Sequence, residues 1–151
     1  MKIKVGDTAK IFSLRDQHGN DTYLKDFFGK KILLSFHPLA WTNVCAMQME
    51  SLEAKREEFA KLNTIVFGVS VDSVPCKKAW AKSLNIEQTK LLCDFWNHGE
   101  VAKLYGIFIE EKGTSERANI IIDENQKVAF VKIYPISELP DIEEIMAELT
   151  G

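Results

Sequence analysis

The sequence is poor in cysteine, in histidine and in long apolar runs, and each scarcity removes a class of protein. Three cysteines occur among 151 residues, at Cys45, Cys76 and Cys93. That number is too small and too odd for a structural disulfide framework, and no pair has Cys-x-x-Cys spacing. A reducing cytoplasm is the expected setting. The three histidines, His18, His37 and His98, are scattered and make no metal-ligand pattern, so neither a metal nor another cofactor is expected. No apolar run approaches the ~20 residues of a membrane-spanning helix. The first residues, Met1-Lys2-Ile3-Lys4-Val5-Gly6-Asp7, lack the apolar core of a signal peptide. Nineteen basic residues face 22 acidic ones, for a net charge of -3, and no basic block stands out. Nucleic acid and anionic membrane are therefore not expected as partners.

What remains is ordinary globular composition, 46% hydrophobic and 27% charged. The length suits one domain over residues 1–151 with a sizeable core. No repeat, linker or low-complexity stretch interrupts it. The chain begins with a hairpin, Ile11–Leu14 and Thr22–Leu24, around the turn residues 16–21. Asp26–Gly29 is a turn or single helical turn. Thr64–Val71 is a second buried strand. A helix follows from Cys76 to about Leu84, with Pro75 near its first position. Lys90–Cys93 is a short strand, and Gly99–Tyr105 a short helix stopped by Gly106. Residues 110–116 read as a polar loop. Arg117–Asp123 and Lys127–Tyr134 read as a hairpin. Ile142, Ile145, Met146 and Leu149 recur at i, i+3, i+4 and i+7, so the chain closes in an amphipathic helix. Alternating strands and helices of this kind fit a thioredoxin-like α/β fold with an added N-terminal hairpin.

The organising stretch is residues 31–45. Lys31-Ile32-Leu33-Leu34-Ser35-Phe36 is nearly all apolar and reads as a buried central strand. Pro38 cannot donate to a ladder, which ends the strand. Thr42 or Asn43 can cap the helix that runs on to about Leu62. Cys45 then sits in the first turn of a helix at the carboxyl end of a buried strand, where open α/β sheets usually place chemistry. Free N–H groups and the positive end of a helix dipole favour a thiolate there, and the thiolate is the nucleophile. Cys45, Leu52 and Phe59 are also seven residues apart, which places Cys45 on the apolar stripe of its own helix. From spacing alone, a buried structural cysteine fits as well as a reactive one.

Pro38, Thr42 and Cys45 form a Pro-x-x-x-Thr-x-x-Cys motif that resembles the signature of the peroxiredoxins, the alkyl hydroperoxide reductase C/thiol-specific antioxidant family. Arg117-Ala118-Asn119-Ile120-Ile121-Ile122-Asp123 is similar to that family's second hallmark, an arginine opening a strand that ends in an acidic turn. Ser70–Ser73 and Asp94–Gly106 also resemble peroxiredoxin segments. The resemblance spans nearly the whole chain in order, and is strongest to the small AhpE-like branch. It implies the same thioredoxin-like fold and a thiol peroxidase reducing hydrogen peroxide or organic hydroperoxides, hence a role in antioxidant defence. It also implies a thiol reductant and a homodimer built around the active-site loops.

That chemistry needs a thiolate, donors that align the peroxide, and positive charge for the developing oxyanion. In the family's pattern Cys45 is the nucleophile, Thr42 offers a hydroxyl that accepts and donates, Pro38 shields the thiolate, and Arg117 brings permanent charge. Taken alone, Thr42 is equally a cap, Pro38 a strand terminator, and Arg117 a surface arginine. Trp41 fits a family aromatic, the core or an interface. Three positions depart from the pattern. His37 stands where an aromatic is common, which makes the pocket more polar or pH-sensitive. Gln48 stands where the branch often has Glu, and Asn119 replaces an apolar residue.

The sulfenic acid left on Cys45 needs a second thiol. Glu50 occupies a position where some relatives carry that cysteine, and none follows Cys93. Cys76, Cys93 or an external thiol remain. Cys76, near a helix start beside Lys77 and Lys78, is expected to have a lowered pKa and to be the resolving residue. Cys93, at the end of an apolar strand, reads as a core thiol. Two other functions use the same fold: a thiol-disulfide oxidoreductase, disfavoured without Cys-x-x-Cys, and a redox sensor without turnover.

Overall fold

The computed structural model describes residues 1–151. Seven strands make one sheet: β1 (Ser13–Arg15), β2 (Asp21–Tyr23), β3 (Lys31–Phe36), β4 (Thr64–Ser70), β5 (Lys90–Cys93), β8 (Arg117–Ile122) and β9 (Val128–Tyr134), in the order β2-β1-β5-β4-β3-β8-β9. β3, β4 and β5 run parallel, and β8 and β9 extend the sheet antiparallel. The core strands are β3 and β4, as their apolar composition predicts.

Each central strand feeds two apolar layers through its alternation. Ile32, Leu34 and Phe36 of β3 join Ile120 and Ile122 on one face, under α4 (Glu100–Leu104). Leu33 and Ile121 join the other face, under α1 (Asn43–Ala54), α2 (Arg56–Lys61), α3 (Val74–Ser83) and α5 (Ile142–Thr150). The helices contribute Met49, Phe59, Trp80, Ile145 and Leu149 to that layer. Gly68 is required where α1 crosses β4. A Cβ there would collide with the Met49 sulfur and lie 2.9 Å from Leu91 Cδ2. No helix is long and apolar enough to cross a membrane.

Most predicted elements form, with shifted boundaries. Two expectations fail. The helix after Cys45 does not run unbroken to Leu62, because Lys55 leaves helical geometry (φ -99°, ψ 12°). Just before the break the Glu53 carboxylate accepts from the backbone N–H groups of Glu87, Gln88 and Thr89 at 2.9–3.2 Å, and just after it Phe59 packs in the Cys45 layer. The stretch after Gly106 is not wholly loop: β6 (Phe108–Ile109) and β7 (Thr114–Ser115) pair as a small ribbon. Pairs of two residues carry too little periodicity to be read from sequence.

Candidate active site

β3 ends at Phe36, and His37-Pro38-Leu39-Ala40-Trp41 turns the chain into α1, whose third residue is Cys45. Trp41 has φ 69°, the left-handed region that a bulky side chain rarely enters. The loop is pinned from outside: the Ala40 N–H donates to Asp72 Oδ2 at 2.8 Å, and the Ser70 hydroxyl donates to the same oxygen at 2.6 Å. Thr42 occupies the N-cap position by backbone geometry only. Its hydroxyl donates to the Leu39 carbonyl at 2.7 Å rather than accepting from α1. The hydroxyl oxygen thus keeps acceptor capacity, while its proton is engaged. Pro38 is half-buried.

Cys45 is 1% exposed and belongs to the helix-side apolar layer, so its place on the stripe is real. It is also the end point of a polar constellation. Arg117, far along the sequence, opens β8 next to β3, and its Nη1 lies 3.3 Å from Cys45 Sγ. Arg117 is 2% exposed, not the surface arginine its composition class suggests. Its Nε and Nη2 donate to the Ile136 carbonyl at 3.0 and 2.7 Å, and Nη1 also donates to Gln48 Oε1 at 2.7 Å. Gln48, one turn after Cys45 on α1, donates in turn to Ser35 Oγ at 2.8 Å and to the Phe36 carbonyl at 3.2 Å. The structure therefore brings Pro38, Thr42, Cys45 and Arg117 to one end of β3 and adds Gln48 and the Ile136 carbonyl.

His37 and Lys77 form a second buried polar pair behind the loop. Lys77 Nζ is 2.6 Å from His37 Nε2, and both residues are 0% exposed. The ring nitrogen facing an ammonium must be the unprotonated acceptor. Burial, then the nearby Lys77 charge, holds His37 well below the ordinary histidine range. Both effects oppose protonation of the His37 ring. Burial also pushes Lys77 down, from 10.5 to about 8. Neither the spacing nor the charge pattern around Lys77 signalled an inward-facing lysine.

Cys76 departs from expectation. It is part-buried, and its thiol donates to Asp72 Oδ1 at 3.6 Å. Burial and then the Asp72 charge push its pKa up, outweighing the opposite effects of Trp41 and Lys77. The helix start and two lysines had suggested the reverse. Lys77 points inward to His37, Lys78 is exposed, and the Asp72 carboxylate, two residues before the α3 start, reverses the local sign. Cys93 is buried, and burial pushes it up to about 12, as a core thiol should be. A cavity of about 480 Å³ bordered by Arg15, Ser73, Pro75, Cys93, Phe95 and Trp96 lies at this edge rather than over Cys45.

Asn119 and Ser35 lie opposite each other in the β3–β8 register and join the polar group under Gln48. Both were visible as polar residues inside apolar strands, which was the available signal of a buried network.

Residues 5–131 match the model of the AhpC/TSA family. The chain is 34% identical over 140 residues to alkyl hydroperoxide reductase E of Mycobacterium tuberculosis (strain ATCC 25618 / H37Rv), covering 92% of this chain and 91% of that protein. It is 32% identical over 147 residues to a thiol peroxidase of Streptococcus gordonii, covering 97% of this chain and 88% of the relative. The fold superposes on the crystal structure of reduced Plasmodium vivax 2-Cys peroxiredoxin with a TM-score of 0.91 at 26% identity, over 98% of this chain and 81% of that one.

Proposed function

The chain belongs to the AhpC/TSA family of thiol-dependent peroxidases, and within that activity we propose that Cys45 is the nucleophile, with Arg117, Thr42 and Pro38 completing its site. It reduces peroxide at the expense of a thiol reductant. In the proposed first step the Cys45 sulfur attacks one peroxide oxygen, an S–O bond forms, the O–O bond breaks, and the second oxygen takes up the proton that the Cys45 thiol gave up and leaves as water or alcohol. The observation that carries this reading is the 3.3 Å approach of a buried guanidinium to Cys45. Arg117 forms no salt bridge with a carboxylate in this structure. A Cys45 thiolate is the anion that would balance its charge. Thr42, its proton held by Leu39, accepts from the peroxide. Arg117 donates to the oxygens on which charge develops.

The experiment is Cys45→Ser. Peroxide consumption should vanish while the far-ultraviolet circular dichroism stays native. Retained turnover would exclude Cys45.

The resolving step is assigned to Cys76. Its sulfur bonds to Cys45 sulfur, the Cys45 S–O bond breaks, and the hydroxyl leaves as water with the Cys76 proton. Support comes from packing: Cys76 lies against the apolar layer that holds Cys45, and Asp72 links Cys76 to the Ala40 backbone of the Cys45 loop. The raised thiol pKa lowers the thiolate fraction available for this step. Peptide mapping after one equivalent of peroxide should recover a Cys45–Cys76 disulfide. Full turnover of Cys76→Ser with a thioredoxin-type reductant would instead exclude Cys76 as the resolving residue. The proposal includes a homodimer and a cytoplasmic location. Exposed Leu39, Trp41, Met47, Ile136 and Leu139 on the segments that build the site favour the dimer. Three free cysteines favour the reducing compartment.

A further inference from the structure

A chain of hydrogen bonds leaves the Cys45 site and runs under α1 to α5. Arg117 Nη1 donates to Gln48 Oε1 (2.7 Å) and Gln48 Nε2 donates to Ser35 Oγ (2.8 Å). Ser35 Oγ donates to Asn119 Oδ1 (2.7 Å), Asn119 Nδ2 donates to Tyr134 Oη (3.3 Å), and Tyr134 Oη donates to Glu144 Oε1 (3.0 Å). Lys132 Nζ holds the other Glu144 oxygen at 2.8 Å. Ser35, Gln48, Arg117 and Asn119 are each at most 2% exposed.

The direction of every bond follows from its ends. A guanidinium only donates, so the Gln48 oxygen must face it and the Gln48 amide nitrogen must face Ser35. Ser35 then accepts, which sends its proton to the Asn119 oxygen. The Asn119 nitrogen is left for Tyr134, whose proton goes to a carboxylate that only accepts. All donors point from the cation at Cys45 to the anion on α5, an arrangement in which each bond polarises the next.

We propose that Ser35 and Asn119, backed by Tyr134 and Glu144, are positioning residues for the peroxide step, locking the Gln48 amide so that its oxygen faces Arg117. The proposal rests on Cys45 and Arg117 being the working pair. An amide has two ends. Reversed, the Gln48 nitrogen would meet Arg117 Nη1 donor to donor, at the same nitrogen that reaches Cys45. Gln48 has no means of choosing its own orientation. The Phe36 carbonyl lies 3.2 Å from Gln48 Nε2 and favours the same orientation, and Ser35, which Asn119 leaves free only to accept, adds the shorter bond at 2.8 Å.

The test is single-turnover oxidation of Cys45 by hydrogen peroxide, quenched by alkylation and read by mass spectrometry. Asn119→Leu keeps the volume and removes both hydrogen bonds. Its oxidation rate constant should fall roughly tenfold, within the range for an unpaired buried polar group. Ser35→Ala should fall similarly, and serves if Asn119→Leu does not fold. Tyr134→Phe should fall less, by about two- to threefold. Gln48→Glu is the discriminating background. A carboxylate accepts from Arg117 and Ser35 in either orientation and needs no keying. In that background the loss caused by Asn119→Leu, or by Ser35→Ala, should shrink to less than about threefold. An equal loss in both backgrounds would overturn the proposal, since a merely structural role is indifferent to residue 48. Wild-type rates for Asn119→Leu and Ser35→Ala would overturn it too, provided Arg117→Ala is slowed. If Arg117→Ala also oxidises at the wild-type rate, the assignment of the site itself fails.

Discussion

Arg117 and Lys77 both carry a cationic group into the interior around Cys45, Arg117 from the start of β8 and Lys77 from the first turns of α3. Neither forms a salt bridge. Arg117 is surrounded by acceptors that match its fork: two bonds to the Ile136 carbonyl, one to Gln48, and the Cys45 sulfur. Lys77 has one hydrogen-bonding partner, the His37 ring, and lies over the Trp80 ring at 5.2 Å. A buried cation costs several kcal/mol unless its donors are satisfied. The two lysine and arginine sites therefore differ in kind. In the proposed mechanism Arg117 is a preorganised charge that the Cys45 thiolate completes. Lys77 is a charge held at a cost, and its depressed pKa is the measure of that cost.

The largest expected effect breaks the satisfied member. Arg117→Ala should slow peroxide oxidation of Cys45 by roughly 100- to 1000-fold, the range for removing one preorganised donor from a developing oxyanion. Arg117→Lys should recover only part of the rate, because an ammonium cannot span Ile136, Gln48 and Cys45 together. Stopped-flow measurement against peroxide concentration checks both.

Removing the unsatisfied member should act in the opposite direction, on stability. Lys77→Met should raise the unfolding free energy near pH 7 by roughly 2 kcal/mol, the desolvation cost less the lost His37 contact. Lys77 releases its proton at about 8 when folded and near 10.5 when unfolded. Below pH 8 both states hold the proton and the cost is complete. Between these values the unfolded chain binds more protons, so wild-type stability gains as pH rises. The advantage of Lys77→Met should therefore shrink from pH 8 toward 10.5. Denaturant unfolding of both proteins across that window reads it, and a constant gap would contradict the account.

Glu53 sharpens the comparison with an anion. Its carboxylate accepts from three backbone N–H groups and the Thr89 hydroxyl. Burial works to raise its pKa, but those bonds together lower it. Glu53→Gln should cost about 1.5 kcal/mol at pH 7, as for a hydrogen-bonded charge. That contribution is present above the ordinary carboxylate range and is lost as pH falls through the lowered folded value. The stability difference between wild type and Glu53→Gln should close in acid.

Much of the site was legible because its parts lie in one short segment. Pro38, Thr42 and Cys45 fall within seven residues of one another, and a strand followed by a helix keeps them together. Arg117 was legible only through family resemblance, since no local pattern tells an inward arginine from an outward one at a strand start. The break at Lys55 is not legible in the sequence, because no glycine or proline marks it. The sequence around Cys76 misleads for a related reason. Local sequence counted Lys77 and Lys78 beside it, while the folded chain turns Lys77 away and sets Asp72 against the thiol.

The sequence by itself determined the order of strands and helices, the buried character of β3 and β4, and the seating of Cys45 at a helix start. These follow from apolar periodicity and turn chemistry, which act over a few residues. Tertiary structure alone decided which charges are buried, which acceptors meet them, and which way each amide points. Those outcomes depend on strand register: β8 beside β3 sets Asn119 against Ser35 and brings Arg117 to Cys45. Electrostatics in a poorly solvated interior is fixed by neighbours in space, and no spacing along the chain encodes them.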